Sequence, residues 1–211
     1  MKFFIFSFSS FLLFLSTSFA TTKTLLSGWI VSEGSTIEIK AKYTFGTHKL
    51  STSEIKGSVK EDNGTFSGQV SVPIKSIKEG RKELECHLQE SLGLNYENSG
   101  FPKKHVCDDN DELPETGPNK IEYANIQFDI SSVIKNKDKL SLTGKWTMHG
   151  VSKEEKIEFQ VNEENSSSLK AQADVKFSLK DFGVIVKKAF VISVNDTIDV
   201  KLNLVFKKKE I

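Results

Sequence analysis

The chain has little of the equipment that catalysis requires. Its 211 residues include two cysteines, four histidines, two methionines and four prolines. No Gly-x-Ser-x-Gly elbow exposes a serine, and no glycine-rich loop cradles a phosphate. The histidines are too few and too scattered to signal a metal enzyme. The triplet Asp181-Phe182-Gly183 lacks the companion motifs of a kinase and reads better as a turn, with Asp181 accepting backbone N–H groups and Gly183 supplying unusual dihedrals. No enzymatic activity is expected. The chain also lacks an excess of charge, with 29 basic against 28 acidic residues, and so lacks the basic face a nucleic-acid binder needs. It shows no internal repeat, no coiled-coil segment and no linker that would divide it.

Only the start of the chain carries a long apolar stretch. Lys2 is followed by the phenylalanine-rich residues 3–15, and Ser18-Phe19-Ala20 has the small-x-small form of a cleavage site. That is the pattern of a secretory signal peptide, and it is too short for a spanning helix. Residues 1–20 are expected to be removed, leaving a single domain over 21–211 that is periplasmic or secreted and not membrane-spanning. The formal glycosylation triplets at Asn63, Asn165 and Asn195 matter only in a host that glycosylates. The run Lys207-Lys208-Lys209 reads as a solvated end.

Two cysteines in an exported chain predict one disulfide, Cys86 to Cys107. A loop of about 22 residues closed in this way is worth roughly 3 kcal/mol in the chain-entropy picture. The alternative is that Cys86, His87, His105 and Cys107 offer four soft ligands to zinc. Adjacent Cys-His ligands are an unusual zinc spacing and an oxidising compartment favours the bridge, so no metal site is expected.

What the chain does have is alternation. Ile37, Ile39, Ala41, Tyr43 and Phe45 form one apolar row, Ile55, Gly57 and Val59 another, and Phe66, Gly68, Val70, Val72 and Ile74 a third. Leu140, Leu142, Gly144, Trp146 and Met148 continue it, followed by Ile157, Phe159 and Val161. Leu169, Ala171, Ala173, Val175, Phe177 and Leu179 come next, then Ile198, Val200, Leu202, Leu204 and Phe206. Period two places each row on one face of a strand. Asp62-Asn63-Gly64 predicts a hairpin turn, and the parity change at Ala124-Asn125 a bulge. In the middle, Ser76 and Glu79 fit a capping box, and Leu84, Leu88 and Leu92 recur at helical spacing before Gly93. One helix is therefore expected over 77–92, and a long surface loop over 95–119. The fold class is all-β: a single antiparallel, lipocalin-like barrel of about eight strands, with one helix and a disulfide-tied loop.

Four segments then resemble the YceI-like family of lipid- or polyisoprenoid-binding proteins. Met148-His149-Gly150-Val151-Ser152-Lys153 resembles a strand-end segment of that family. The stretch from Phe177 through Asp181-Phe182-Gly183-Val184 is similar to its late strand and turn, and Val194-Asn195-Asp196-Thr197-Ile198 to its last turn. Residues 74–88, with Arg81 and His87-Leu88, stand where the family has a strand and then a helix. The order of all four agrees. Trp29 opens the chain only loosely as family members do, and the section from Cys86 to Asn119 is longer than the common pattern.

The resemblance implies an exported barrel holding an elongated apolar molecule, such as an isoprenoid or a quinone-like lipid. The inward rows nominate Tyr43, Phe128, Leu142, Gly144, Trp146, Met148 and Phe159 as its lining, together with Ala171, Ala173, Val175, Phe177, Leu202 and Leu204. Gly144, Ala171 and Ala173 are small and are expected to leave volume. His149 is expected to bond a turn. The competing reading is a structural or protein-interaction module whose barrel is filled by its own side chains and whose 86–119 loop meets a partner.

Overall fold

The computed structural model describes residues 27–62, 64–186 and 194–210. The leader-like residues and Asn63 of the expected turn lie outside the described residues.

The alternating rows become antiparallel strands: β1 (Ser27–Val31), β2 (Thr36–Tyr43), β3 (Gly46–Thr52), β4 (Lys56–Asp62) and β5 (Thr65–Pro73). After the helix α1 (Lys82–Gly93) come β6 (Asn125–Asn136), β7 (Lys139–Met148), β8 (Val151–Glu164), β9 (Ser168–Ser178) and β10 (Thr197–Glu210). Strands β1 and β4 to β10 form a ring in the order β1-β4-β5-β6-β7-β8-β9-β10, which the β1–β10 pairing closes. This is the expected eight-stranded antiparallel barrel. The Lys207-Lys208-Lys209 run is solvated, as its sequence suggested, and also belongs to a strand. These residues pair with Ile30, Trp29 and Gly28 and help to close the ring, with their side chains exposed.

Strands β2 and β3 continue the β1/β4 pair beyond a break at Ser32–Ser35, which a side chain repairs: buried Ser35 accepts the Val205 N–H through its hydroxyl at 2.9 Å. Beyond the break β2 stays on β10, but among the described residues the outer edge of β3 meets only a bridge between Ser51 and Lys78. The wall is therefore unclosed by strands at this end, and the segment leaving β5 fills the gap.

Connection lengths separate the two ends of the barrel. At one end, Asp62 faces Thr65 and Asn136 faces Lys139 across tight turns. At the other lie the chain from Pro73 to Asn125, which carries α1, and the chain from Ser178 to Thr197. A rigid sheet with long connections at one end places function there.

The middle segment departs from expectation in three respects. The helix begins at Lys82, not at Ile77. Ser76 does not cap it. Its hydroxyl donates to Pro73 O (2.7 Å) and meets the Thr52 hydroxyl (2.8 Å), locking a 3-10 turn at Ile74–Ser76 onto the end of β3. Glu85 instead accepts the Glu79 and Gly80 N–H groups at 3.1 Å each, tying the approach to the first turn of α1. The expected bulge at Ala124-Asn125 falls at the start of β6, where Asn125 pairs with Pro73, and the register shifts at Ile130/Ser132 instead. The 95–119 stretch is also more than a surface loop. Leu94, Phe101 and Leu113 bury themselves with Cys86 in a second, smaller core on the helix. The Cys86–Cys107 disulfide is formed, with Cα atoms 6.3 Å apart, and consumes both cysteine sulfurs.

Candidate ligand cavity

Most of the nominated lining residues pack against one another. Phe128, Leu142, Trp146, Phe159, Ala171, Ala173, Phe177, Leu202 and Leu204 are all buried in the main core. Phe128 and Trp146 lie 4.7 Å apart, Trp146 meets Phe177 edge-on at 5.1 Å, and Phe182 follows at 6.3 Å. Aromatic pairs at such spacings favour packing over void. Val175 is half-buried at the margin. Gly144 does not open volume: a Cβ there would sit 2.2 Å from Asp129 O and 2.9 Å from Phe128 Cζ. The glycine lets the neighbouring strand and ring approach closely. The middle of the barrel is thus filled, although the buried Trp146 Nε1 has no hydrogen-bond partner among the described residues.

The space lies one step further along, at the end with the long connections. A cavity of about 690 Å³ opens there, and of the nominated residues Tyr43 and Met148 line it. Strands β2 and β3 contribute Ile39, Ala41 and Leu50, and Ile77 comes from the segment that fills the wall. Helix α1 turns Leu84, Leu88 and Leu92 inward, the apolar row visible in the sequence. Ile126, Leu179, Val184, Val186, Val194 and Ile198 complete the apolar surface. Sequence reasoning used this row to place the helix and gave it no part in the lining. The clue it passed over was that the helix and both long connections fall at the same end of the strands.

Polar groups also join the lining: His48, Glu79, Arg81 and Glu83, together with His87, Ser91 and His105. Arg81 grips Glu79 with two bonds, Nε to Oε2 at 3.0 Å and its terminal nitrogen to Oε1 at 3.1 Å. His48 Nδ1 lies 3.5 Å from Glu79 Oε1, and its ring stacks on Tyr43 with centroids 4.3 Å apart. The Arg81 guanidinium holds the Glu79 carboxyl below its ordinary range.

The turns around the cavity are pinned by the motifs seen in the sequence. His149 adopts a φ of 49° and bonds Leu94 O through Nε2 at 2.9 Å, joining the β7–β8 turn to the end of α1. Its ring lies between Tyr96 and Tyr123, at 4.2 and 4.8 Å, and burial lowers its pKa. The Tyr96 hydroxyl donates to Ser91 O and accepts the Ile185 N–H at 3.0 Å, while burial pushes its pKa up to about 12. Asp181-Phe182-Gly183 forms the expected turn, with Gly183 at a φ of 69° and Phe182 buried. Asp181 pairs with Lys153 at 3.3 Å, where capping of backbone N–H groups was expected. Among the described residues no helix is long and apolar enough to cross a membrane.

Residues 115–206 match the family model of the YceI-like domain. No curated protein matches the chain by sequence. Among solved structures, the fold resembles a polyisoprenoid binding domain from Saccharophagus degradans, described as implicated in plant cell wall breakdown. That match has a TM-score of 0.60 and 9% identity, covering 85% of this chain and 97% of the other. BcnA of Burkholderia cenocepacia aligns with a TM-score of 0.56 and 17% identity, over 81% of this chain and 95% of its own. The Campylobacter jejuni YCEI protein aligns with a TM-score of 0.55 and 16% identity, over 77% and 86%. At such identities these structures share the fold.

Proposed function

With a YceI-like domain over residues 115–206 as premise, we propose that the chain is an exported carrier for an elongated apolar molecule of the isoprenoid or quinone-like kind. The cavity of about 690 Å³ between α1, β2 and β3 carries this reading. It falls within the roughly 300–1,000 Å³ of small-molecule sites. Its walls are mostly aliphatic, so burial of the ligand's chain at about 25 cal/mol per Å² supplies the driving force, before association costs. The His48–Glu79–Arg81 sector receives the polar end. Export is supported by the leader-like first twenty residues and by the disulfide, which persists in oxidising compartments.

The competing reading, a self-filled barrel that presents the 86–119 loop to a protein, fits the packed middle of the barrel but leaves this cavity without a role. Organic extraction of the purified protein followed by mass spectrometry decides between them. The expected result is a recurrent isoprenoid or quinone-like species, or uptake of one by the extracted protein in vitro. Leu88→Trp, which places an indole on the helical wall, should lower that uptake at least about tenfold, equivalent to roughly 1.4 kcal/mol, without lowering the thermal midpoint. A barrel that is empty after purification and takes up neither class of lipid overturns the proposal.

A further inference from the structure

The disulfide uses both sulfurs of the Cys-His pairs seen in the sequence, yet it leaves their histidines side by side. His87 stands on α1 immediately after Cys86, and His105 lies two residues before Cys107. Their rings approach with centroids 4.7 Å apart. Between them comes Glu90, one turn after His87 on the same helix face. One ligand atom from each of His87, Glu90 and His105 falls within 4.8 Å of the others.

Glu90 is the unusual member. Its side chain is 0% exposed, a state carboxylates seldom adopt without full pairing. One oxygen, Oε1, takes two partners, His105 Nδ1 at 2.9 Å and the Val106 N–H at 2.7 Å. The other, Oε2, is buried and has no hydrogen-bond partner among the described residues. A buried acceptor left without a donor is costly, and one ordinary remedy is a cation. Two imidazoles and one carboxylate are the donor set of many zinc sites that keep a position open. The local build suits such a site. The bridge between Cys86 and Cys107 fixes the loop that carries His105 against the helix that carries His87 and Glu90, so the three donors converge at little further entropic cost.

We propose that His87, Glu90 and His105 form a binding site for one divalent transition-metal ion of the zinc type. Both histidines also line the cavity, so the ion's open position adjoins the space assigned to the ligand. The site does not depend on the carrier reading, because it is measured on lipid-free protein with metal alone.

The test uses disulfide-intact protein without a histidine tag, stripped by a chelator and extracted free of lipid. Calorimetric titration with Zn²⁺ should show one equivalent bound. Glu90→Gln and His105→Ala should each weaken it by at least about 100-fold, since even groups that only support a metal ligand are worth 10- to 100-fold. In the unmodified protein, Zn²⁺ should shift the NMR ring signals of His87 and His105 and leave those of His149 in place, a readout that needs no variant to fold. Co²⁺ should give the visible bands of a low-coordinate nitrogen–oxygen site. Absence of stoichiometric binding, affinity in both variants unchanged from the unmodified protein, or shifts confined to other histidines would overturn the proposal and leave Glu90 and His105 as a structural pair.

Discussion

His149 couples three turns through one ring, and its titration makes that coupling measurable. Burial lowers its pKa in the folded protein below the unfolded value near 6.5. The unfolded chain therefore binds its proton first as pH falls. Stability should be highest above about pH 6.5 and should decline as pH drops from there through the lowered folded-state pKa. Urea unfolding between pH 7 and 5 should show this slope, and His149→Asn should flatten it, since Asn tolerates the positive φ but does not titrate. The same substitution removes the bond to Leu94 O, at a cost of about 1 kcal/mol at neutral pH. An unchanged slope in the variant would show that other groups set the acid limit. The sequence placed His149 correctly at a turn, because a His-Gly pair between two alternating rows leaves few other options. It did not disclose the bond to Leu94, which comes from a segment 55 residues away.

At the scale of elements, strands were far more legible than the insertion between β5 and β6. Alternation survives folding wherever one face is buried, so rows such as Leu140-Leu142-Trp146-Met148 mapped directly onto the inner wall. The helix start was misread because Ser76 and Glu79 have the chemistry of a capping box but answer to other partners, the distant Thr52 and the nearby Arg81. The second core escaped notice because Leu94, Phe101 and Leu113 follow no period. Nor does a row reveal whether the space before it is filled: Gly144 and Ala171 face inward as expected, yet the volume lies beside Leu84 and Leu88. The disulfide holds this insertion together. Its reduction should lower the unfolding free energy by roughly 3 kcal/mol, with faster hydrogen exchange over 94–121 and an undiminished β signal in circular dichroism. A loss of barrel structure on reduction would mean that the insertion is integral to the closure of the sheet.

At the scale of the whole molecule, the barrel divides its labour along its axis. The aromatic middle, Phe128, Trp146 and Phe177, is packed by the chain's own rings. The end with the long connections is walled partly by a helix and by a two-stranded extension whose edge makes, among the described residues, only the Ser51–Lys78 bridge. Fewer backbone bonds secure that wall, so it should open locally at a lower free energy than the ring. A molecule seated in the cavity would bridge α1 to β2 and β3 and supply contacts the sheet does not provide. Loading with an isoprenoid or quinone-like lipid should therefore stabilise the protein by about 2.7 kcal/mol at a free concentration a hundred times the Kd. The gain should be uneven. Amide exchange should slow most over 82–93 and 36–52 and little over β6 and β7 beyond their first and last residues. Equal slowing throughout the barrel, or none, would place the ligand elsewhere or exclude it, and would return the helical row of Leu84, Leu88 and Leu92 to the role of plain packing.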